Sequence, residues 1–592
     1  MATDTIPARF LDQALRRPTR PAYYVREQSG WKATNWDVFV NQARQVARAM
    51  IASGFEFGDK ACVLGFNRPE WTIFDLATML AGGTPAGIYT TCSPSEVQYI
   101  LDHAEAKFVL VEDASQWEKV KAELSRLPKL ERVVTMQGAA AIDHDMVLDW
   151  DAFLALGDSV EQSVVDERVE RIKGDDLATM IYTSGTTGPP KAVMLSHENL
   201  AWTASLAIEM VNFDEHDSCV SYLPLAHIAE QMFSLHVPVS VGSQVYFARS
   251  IDDLKDDIAE VHPTVFFGVP RIWEKFYAGL STKLAQAEGG KAKLVDWAQC
   301  VGRRAVAARN AGEPLSLGMR VRYKLANKLV FSKVKAALGL DQAKLCVSGA
   351  APIGAEVLEF LAGLDIAVYE VYGQSEDSGP TSFNLPGATK FGTVGRPVPG
   401  VEVRIAEDGE VMVSGPNVFQ GYYKDQEATD EALTDGWLHS GDLGALDADG
   451  FLSIVGRKKD IIITAGGKNI TPKNIEAALK NIEWVGEAVL IGDRRKFISA
   501  LITLDEEAVV RFAESQGVGV EGIHENAALL ADIQKGVDAV NAEFARVEHV
   551  RKFTILDRPF SIEAGELTPT LKVKRRIVNE NFAEQIEAMY SA

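Results

Sequence analysis

Residues 177–195 read LATMIYTSGTTGPPKAVML, and the fold turns on how that run is read. Leu177 to Tyr182 is an apolar run bounded by turn residues, which predicts a strand. Thr183, Ser184, Gly185, Thr186, Thr187 and Gly188 follow, then two prolines and Lys191. The glycines let a backbone turn with φ > 0 and bring its N–H groups close to an anion. The hydroxyls add donors, and the lysine adds a point charge. A phosphate-holding loop is expected, but not a Walker A loop, which ends in Gly-Lys-Ser/Thr and runs straight into a helix. Here Lys191 follows Pro190 and precedes Ala192, and Ala192 to Leu195 predicts a second strand. Only at Ser196, with Glu198 in the first turn, is a helix cap expected. A loop bridging two strands must hold phosphate by wrapping it, without a helix dipole.

Outward from this loop, short apolar runs alternate with helical patterns. KACVLGF, KFVLVED, SQVYFA, PTVFFGV and AKLCVSGA each predict a buried strand, and together they predict a largely parallel α/β architecture. From about Gly392 the texture changes to valine-rich runs with Gly/Pro turns (GTVGRPVPGVEVRI, GEVMVSG), which predicts a small antiparallel or barrel-like subdomain. After GFLSIVGRKKD a further unit begins. It carries a helix in which Thr471 caps and Pro472 takes the first position, then the strand pair EAVLIGD and FISALITLD. The expected division is 1–456 and 457–592. The fold class expected is α/β, with two doubly wound subdomains, a small barrel-like one and a small α+β C-terminal domain.

The 592 residues carry a formal charge of −22. A nucleic-acid-binding body needs a basic face, so that class is disfavoured; KVKRR (Lys572–Arg576) is the one basic patch that stands out. Five cysteines lie scattered without C-x-x-C spacing, which fits a reducing compartment. The N-terminus shows no apolar secretory region. The uncharged runs Leu76–Ser95 and Gln231–Ala248 are broken by GGTPAG and by His236, Pro238 and Gly242, so neither is expected to span a membrane. A soluble, cytoplasmic protein is expected, with peripheral contact at the inner membrane face left open.

Further motifs follow in order: SYLPLAHIAEQ (221–231), GVPRIWEK (268–275), VSGAAP (347–352) and YEVYGQSEDSGP (369–380). WLHSGDLG (437–444), GRKKDIIITAGGKNITP (456–472) and GELTPTLKVKRR (565–576) complete the set. With YTSGTTGPPKAV, these resemble the signatures of the adenylate-forming superfamily of acyl-CoA synthetases, luciferases and peptide-synthetase adenylation domains. The wording of SYLPLAHIAEQ and AGGKNITP is similar to long-chain acyl-CoA synthetases of the bubblegum-type branch. Departures are small. Ala192 stands for the usual glycine, Ser375 for a threonine in YGQSE, and Leu571 for the glycine before the catalytic lysine.

The resemblance implies ATP, Mg²⁺ and CoA as reaction partners and a fatty acid as substrate. It implies that Asp442 and Arg457 contact the ribose, that Gly373 belongs to the nucleotide site, that Ser375 lies at the α-phosphate, and that Glu376, with Thr183, serves Mg²⁺. Tyr372 stacks on adenine in this reading, with Gly349 and Ala350 lining the same pocket, and His227 lies near the acyl carboxylate. Lys572 takes the catalytic lysine's position, with Lys574 as the alternative because Leu571 breaks the motif. Lys459 takes the hinge, and Gly466 and Gly467 a CoA-approaching loop in a mobile C-terminal domain. GQSED lacks the last glycine of the hydrolase elbow, which disfavours a serine nucleophile. A carrier-protein acceptor and medium-chain or aromatic acids remain open alternatives, and the family is compatible with a homodimer.

Overall fold

The computed structural model describes residues 4–183, 189–562, 564–568 and 572–591. Five strands of an eight-stranded sheet, Lys60–Leu64, Thr84–Ile88, Ala106–Val111, Arg132–Thr135 and Val147–Leu148, run parallel. Leu177–Thr183 joins them in parallel beside Thr84–Ile88, and Lys191–Ser196 and Gly421–Tyr422 extend the edge antiparallel. The central strands are almost wholly buried, as expected where helices cover both faces. Gly87 in this sheet lets another segment approach: a Cβ there would come within 2.6 Å of Ala226 Cα. The backbone of the 221–231 motif therefore rests directly on the sheet.

The second layer is built from two sheets. Ser218–Ser221, Gln244–Phe247 and Pro21–Glu27 run parallel, with Gly30–Asn35 antiparallel at the edge. Val265–Gly268, Leu345–Ser348 and Val368–Tyr372 also run parallel, with two short antiparallel strands beyond them. The two sheets meet where Ser218 N donates to Thr264 Oγ1 at 2.9 Å and Thr264 N donates to Ser218 Oγ at 3.3 Å. The expected parallel cores are present, and antiparallel edges make the sheets mixed.

From Glu402 the chain forms the expected antiparallel unit: Glu402–Ile405, Glu410–Ser414, Trp437–Leu446, Leu433–Thr434 and Leu452–Arg457, paired as an open path. Its last strand ends at Arg457, and a short turn, Lys458–Asp460, leads into the small C-terminal domain. There Val485–Ile491, Ile498–Leu504 and Val550–Ile555 form a sheet with a core on each face. Leu479, Ile502 and Ile533 pack on one side, and Leu501, Val578 and Phe582 on the other. Among the described residues no helix is long and apolar enough to cross a membrane.

Two helix starts follow the sequence differently. Ser196 caps His197–Val211 through a reciprocal box with Asn199. Thr471 holds the N-cap position of Pro472–Lys480, but its side chain makes no capping hydrogen bond. Its methyl group instead lies against Gly456, 2.2 Å from where a Cβ would stand. Packing on the preceding strand has displaced the cap.

Candidate active site

Thr183 and Lys191 are register partners at the open end of the strand pair, where Thr183 Oγ1 donates to Lys191 O at 3.4 Å. Ser184, Gly185, Thr186, Thr187 and Gly188 lie outside the described residues. Lys191 Nζ stands 4.7 Å from the ring centre of Tyr422, a cation–π contact. The Tyr422 hydroxyl in turn donates to Glu376 Oε1 at 2.9 Å. The root of the loop is thus tied to Glu376 through an aromatic residue that no sequence motif marked. Tyr422 reaches this place because Gly421–Tyr422 pairs with Met194 and Val193 as an edge strand.

Val368–Tyr372 delivers the YGQSE segment. At Gly373 the backbone passes so near Gly379 that a Cβ would overlap its carbonyl oxygen, at 1.4 Å. Only glycine fits that crossing. Ser375–Asp377 then forms a tight turn held by Asp377, whose Oδ1 accepts from Gln374 N at 2.7 Å and whose Oδ2 accepts from Thr381 Oγ1. Burial pushes the Asp377 carboxyl up to about 7. The residue that breaks the hydrolase pattern therefore braces the turn that presents Glu376.

Asp442 collects three donors. Tyr372 OH and Gln374 Nε2 both donate to Oδ2 at 2.8 Å, and Arg457 Nε lies 3.2 Å from Oδ1. Asp442 and Arg457 are register partners on adjacent strands, which explains their meeting. Gln374 was not singled out in the sequence; its signal was only its place between Tyr372 and Ser375. Gly349 packs against Val371, next to Tyr372, and Ala350 adopts left-handed backbone at φ 68°. A non-glycine residue held there carries strain, which concentrates at functional turns.

The small domain contributes Lys572. Thr568 N donates to Lys572 O at 2.7 Å, Lys572 N donates to Thr568 Oγ1 at 3.0 Å, and Leu567 bridges Val573. These bonds fix the backbone of Lys572, whose side chain is exposed. Withdrawal from bulk water, then Arg457 and Lys473, bring its ammonium down to about 8, against the pull of Asp442 and Glu376. Lys574 is directed elsewhere, with Nζ 3.9 Å from Glu96 Oε1. Of the two candidate lysines, Lys572 is the one whose ammonium is shifted by Asp442, Glu376 and Arg457.

Lys473, in the first turn of Pro472–Lys480, is a further cation that sequence reasoning missed. Burial holds its ammonium below the ordinary lysine value, with Asp442 the principal opposing charge. His227 Nδ1 accepts from Ala229 N at 3.2 Å and so caps the short helix Ile228–Gln231. Burial and then the charge of Lys572 push the ring down to about 4, so it is neutral with its proton on Nε2. Gly466 and Gly467 are exposed in a turn tied to their own domain through Thr464 and Arg495. The domains also meet where Arg271 pairs with Asp505 at 2.9 Å.

Four cations from three parts of the chain, Lys191, Arg457, Lys473 and Lys572, thus surround two carboxylates, a donor set suited to a polyphosphate beside a ribose. Among the described residues no three His, Cys, Asp or Glu side chains gather to cage a metal. A cation here would have Glu376 and the ligands its substrate brings. Mg²⁺ fits such a place, because it binds through one or two carboxylates plus phosphate oxygens and water.

Residues 10–423 match the model of the AMP-binding enzyme family, and residues 459–592 match that of the AMP-binding enzyme C-terminal domain. The chain is 38% identical to the long-chain-fatty-acid–CoA ligase ACSBG2 of Xenopus laevis, over 95% of this chain and 80% of that one. It is 37% identical to the long-chain-fatty-acid–CoA ligase FadD15 of Mycobacterium bovis, over 99% and 97%. Among solved structures, the adenylation domain of carboxylic acid reductase from Segniliparus rugosus, in complex with AMP and a carboxylic acid, shares the fold. Its TM-score is 0.74 at 20% identity, covering 99% of this chain and 93% of that one.

Proposed function

Because the chain belongs to the AMP-binding enzyme family, we propose that it is an ATP-dependent long-chain fatty acid:CoA ligase. The reading is supported above all by one observation: Asp442 gathers Tyr372, Gln374 and Arg457 beside the turn that presents Glu376, where the chain crosses into the small domain that carries Lys572. A carboxylate cannot acylate a thiol directly, because oxide is a poor leaving group. One carboxylate oxygen attacks the α-phosphorus of ATP, the bond to the β-phosphate oxygen breaks, and pyrophosphate leaves. Both reactants are anionic, so catalysis here is charge neutralisation and in-line positioning.

In this account Asp442 and Arg457 hold the ribose, Tyr372 and Gly349–Ala350 flank the adenine, and Thr183 to Lys191 wrap the phosphate tail. Gly373 lets the YGQSE backbone approach, and Ser375 meets the α-phosphate. Glu376, with Thr183, would hold Mg²⁺, which supplies further neutralisation of the triphosphate. Neutral His227 offers an Nε2 proton to the acid, and Lys572 bridges the attacking and attacked groups. In the second step the CoA thiol loses its proton and its sulfur bonds to the acyl carbon; the mixed-anhydride bond breaks and AMP leaves. The domains divide after residue 456, with the hinge at Lys459, and rotation there exchanges Lys572 for the exposed Gly466–Gly467 turn.

CoA-dependent AMP release across a series of acid lengths tests this function. Turnover that requires CoA and favours long chains is the expected result. Turnover with a carrier protein in place of CoA, or a preference for aromatic acids, would replace the reading.

A further inference from the structure

Between residues 291 and 335 the chain carries eleven lysines and arginines against two acidic residues, although the whole protein has a charge of −22. The two helices involved are Gly290–Asn310 and Leu317–Ala326, the latter continuing through Asn327–Phe331 to Ala337. The inward face of the second is fully used. Met319, Tyr323, Ala326, Val330 and Phe331 pack on the first helix through Trp297, Ala298 and Val301. Tyr323 and Lys335 also reach the buried Asp365, at 2.8 and 2.6 Å, which locks the helix to the body.

The outward face has no such partner. Leu317, Val321, Leu325 and Leu329 succeed one another every four residues, with exposures of 80, 68, 49 and 36%. This i, i+4 spacing makes one stripe, about 20 Å long at ~1.5 Å of rise per residue. Arg320, Lys324 and Lys328 run beside it at the same spacing, and all three are exposed. Among the described residues no acidic side chain pairs with them or with Arg322 or Lys333. A helix with an apolar line, a basic flank and no groove has the chemistry of an interfacial helix.

We propose that the outer face of 317–329 docks the protein flat onto an anionic lipid bilayer, with Leu317, Val321 and Leu325 entering the headgroup boundary. Charge complementarity selects this occupant: two copies meeting through the stripe would bring their basic flanks together, whereas anionic headgroups neutralise them. The inference is independent of the ligase reading, since docking needs neither ATP nor CoA.

The test is cosedimentation of the full-length protein with vesicles of phosphatidylcholine alone or mixed with phosphatidylglycerol, at low and high salt. Binding is expected on the mixed vesicles, weakening with salt. L317D/V321D/L325D should lower the partition coefficient at least about tenfold. R320Q/K324Q/K328Q, which leaves the apolar stripe intact, should also weaken binding about tenfold and flatten its salt dependence. Both variants should keep the wild-type melting temperature and adenylation of a short, water-soluble acid. No binding of wild type to mixed vesicles, or unchanged binding by the charge variant, would overturn the proposal. So would a wild-type dimer in sedimentation velocity that the stripe variant dissolves, which would make the face a self-interface.

Discussion

Asp442 and Arg457 face each other as register partners on adjacent antiparallel strands, and their side chains join at 3.2 Å. Arg457 is also the last residue of its strand before the turn into the small domain. The pair assigned to the ribose therefore sits on the large domain at the point where the chain crosses over. Under the proposed rotation of the small domain, the proposed ATP contact would then persist.

Replacing Asp442 with alanine removes an acceptor from Tyr372, Gln374 and Arg457 together. Lost hydrogen bonds to a charged group are worth about 2 kcal/mol each, so the KM for ATP should rise by well over tenfold. Asp442→Asn, which keeps one acceptor oxygen but no charge, should fall between wild type and the alanine variant. Fatty-acid-dependent pyrophosphate exchange reads the effect, and an unchanged KM would remove Asp442 from the nucleotide site.

Glu376→Gln should raise the Mg²⁺ concentration for half-maximal adenylation by about tenfold or more. Glutamine can still accept from Tyr422, and the position is partly exposed, so the melting temperature should stay near wild type. An unaltered Mg²⁺ titration would place the metal elsewhere.

The lowered Lys572 value has a direct pH consequence. A group brought down to about 8 loses its proton there, whereas an ordinary lysine holds it to about 10.4. Adenylation by the charged form should therefore be full below pH 8 and fall above it. In kcat/KM, which reports the free enzyme, the descending limb should lie near 8. Lys572→Arg, charged throughout, should abolish that limb whatever its absolute rate. A wild-type profile flat to pH 10 would contradict the assignment.

Arg271 and Asp505 join the two domains in the arrangement that brings Lys572 in. Arg271 is half exposed, and such pairs contribute about 0.5 kcal/mol, so Arg271→Ala should slow adenylation only about twofold. Arginine is the partner to change, because Asp505 also caps its helix through Ala508 N. Thioester formation from supplied acyl-adenylate should not slow; equal loss in both half-reactions would mean the pair stabilises the fold and not one pose.

Much of this was legible in the chain because it is local. The strand–loop–strand at 177–196 follows from two apolar runs bounding a Gly/Ser/Thr segment, and Ser196 and Pro472 mark their helices where expected. What was not legible depends on approach between distant segments. Tyr422 matters only as part of an edge strand, beside Val193, and Lys473 only once its ammonium comes under the influence of Asp442. Lys572 and Lys574 flank Val573 two positions apart, so a two-residue shift in alignment exchanges one lysine for the other. No motif separates the two.

The central claim is that the small domain carries a lysine needed for one half-reaction alone. The decisive measurement is the rate of each half-reaction in Lys572→Ala, with Lys574→Ala as control. Loss of a donor aimed at developing charge costs about a hundredfold or more, so adenylation should fall by that factor. Thioester formation from synthetic acyl-adenylate and CoA should stay near wild type, and Lys574→Ala should change neither step appreciably. Equal loss of both half-reactions in Lys572→Ala, or loss of adenylation in Lys574→Ala instead, would contradict the account.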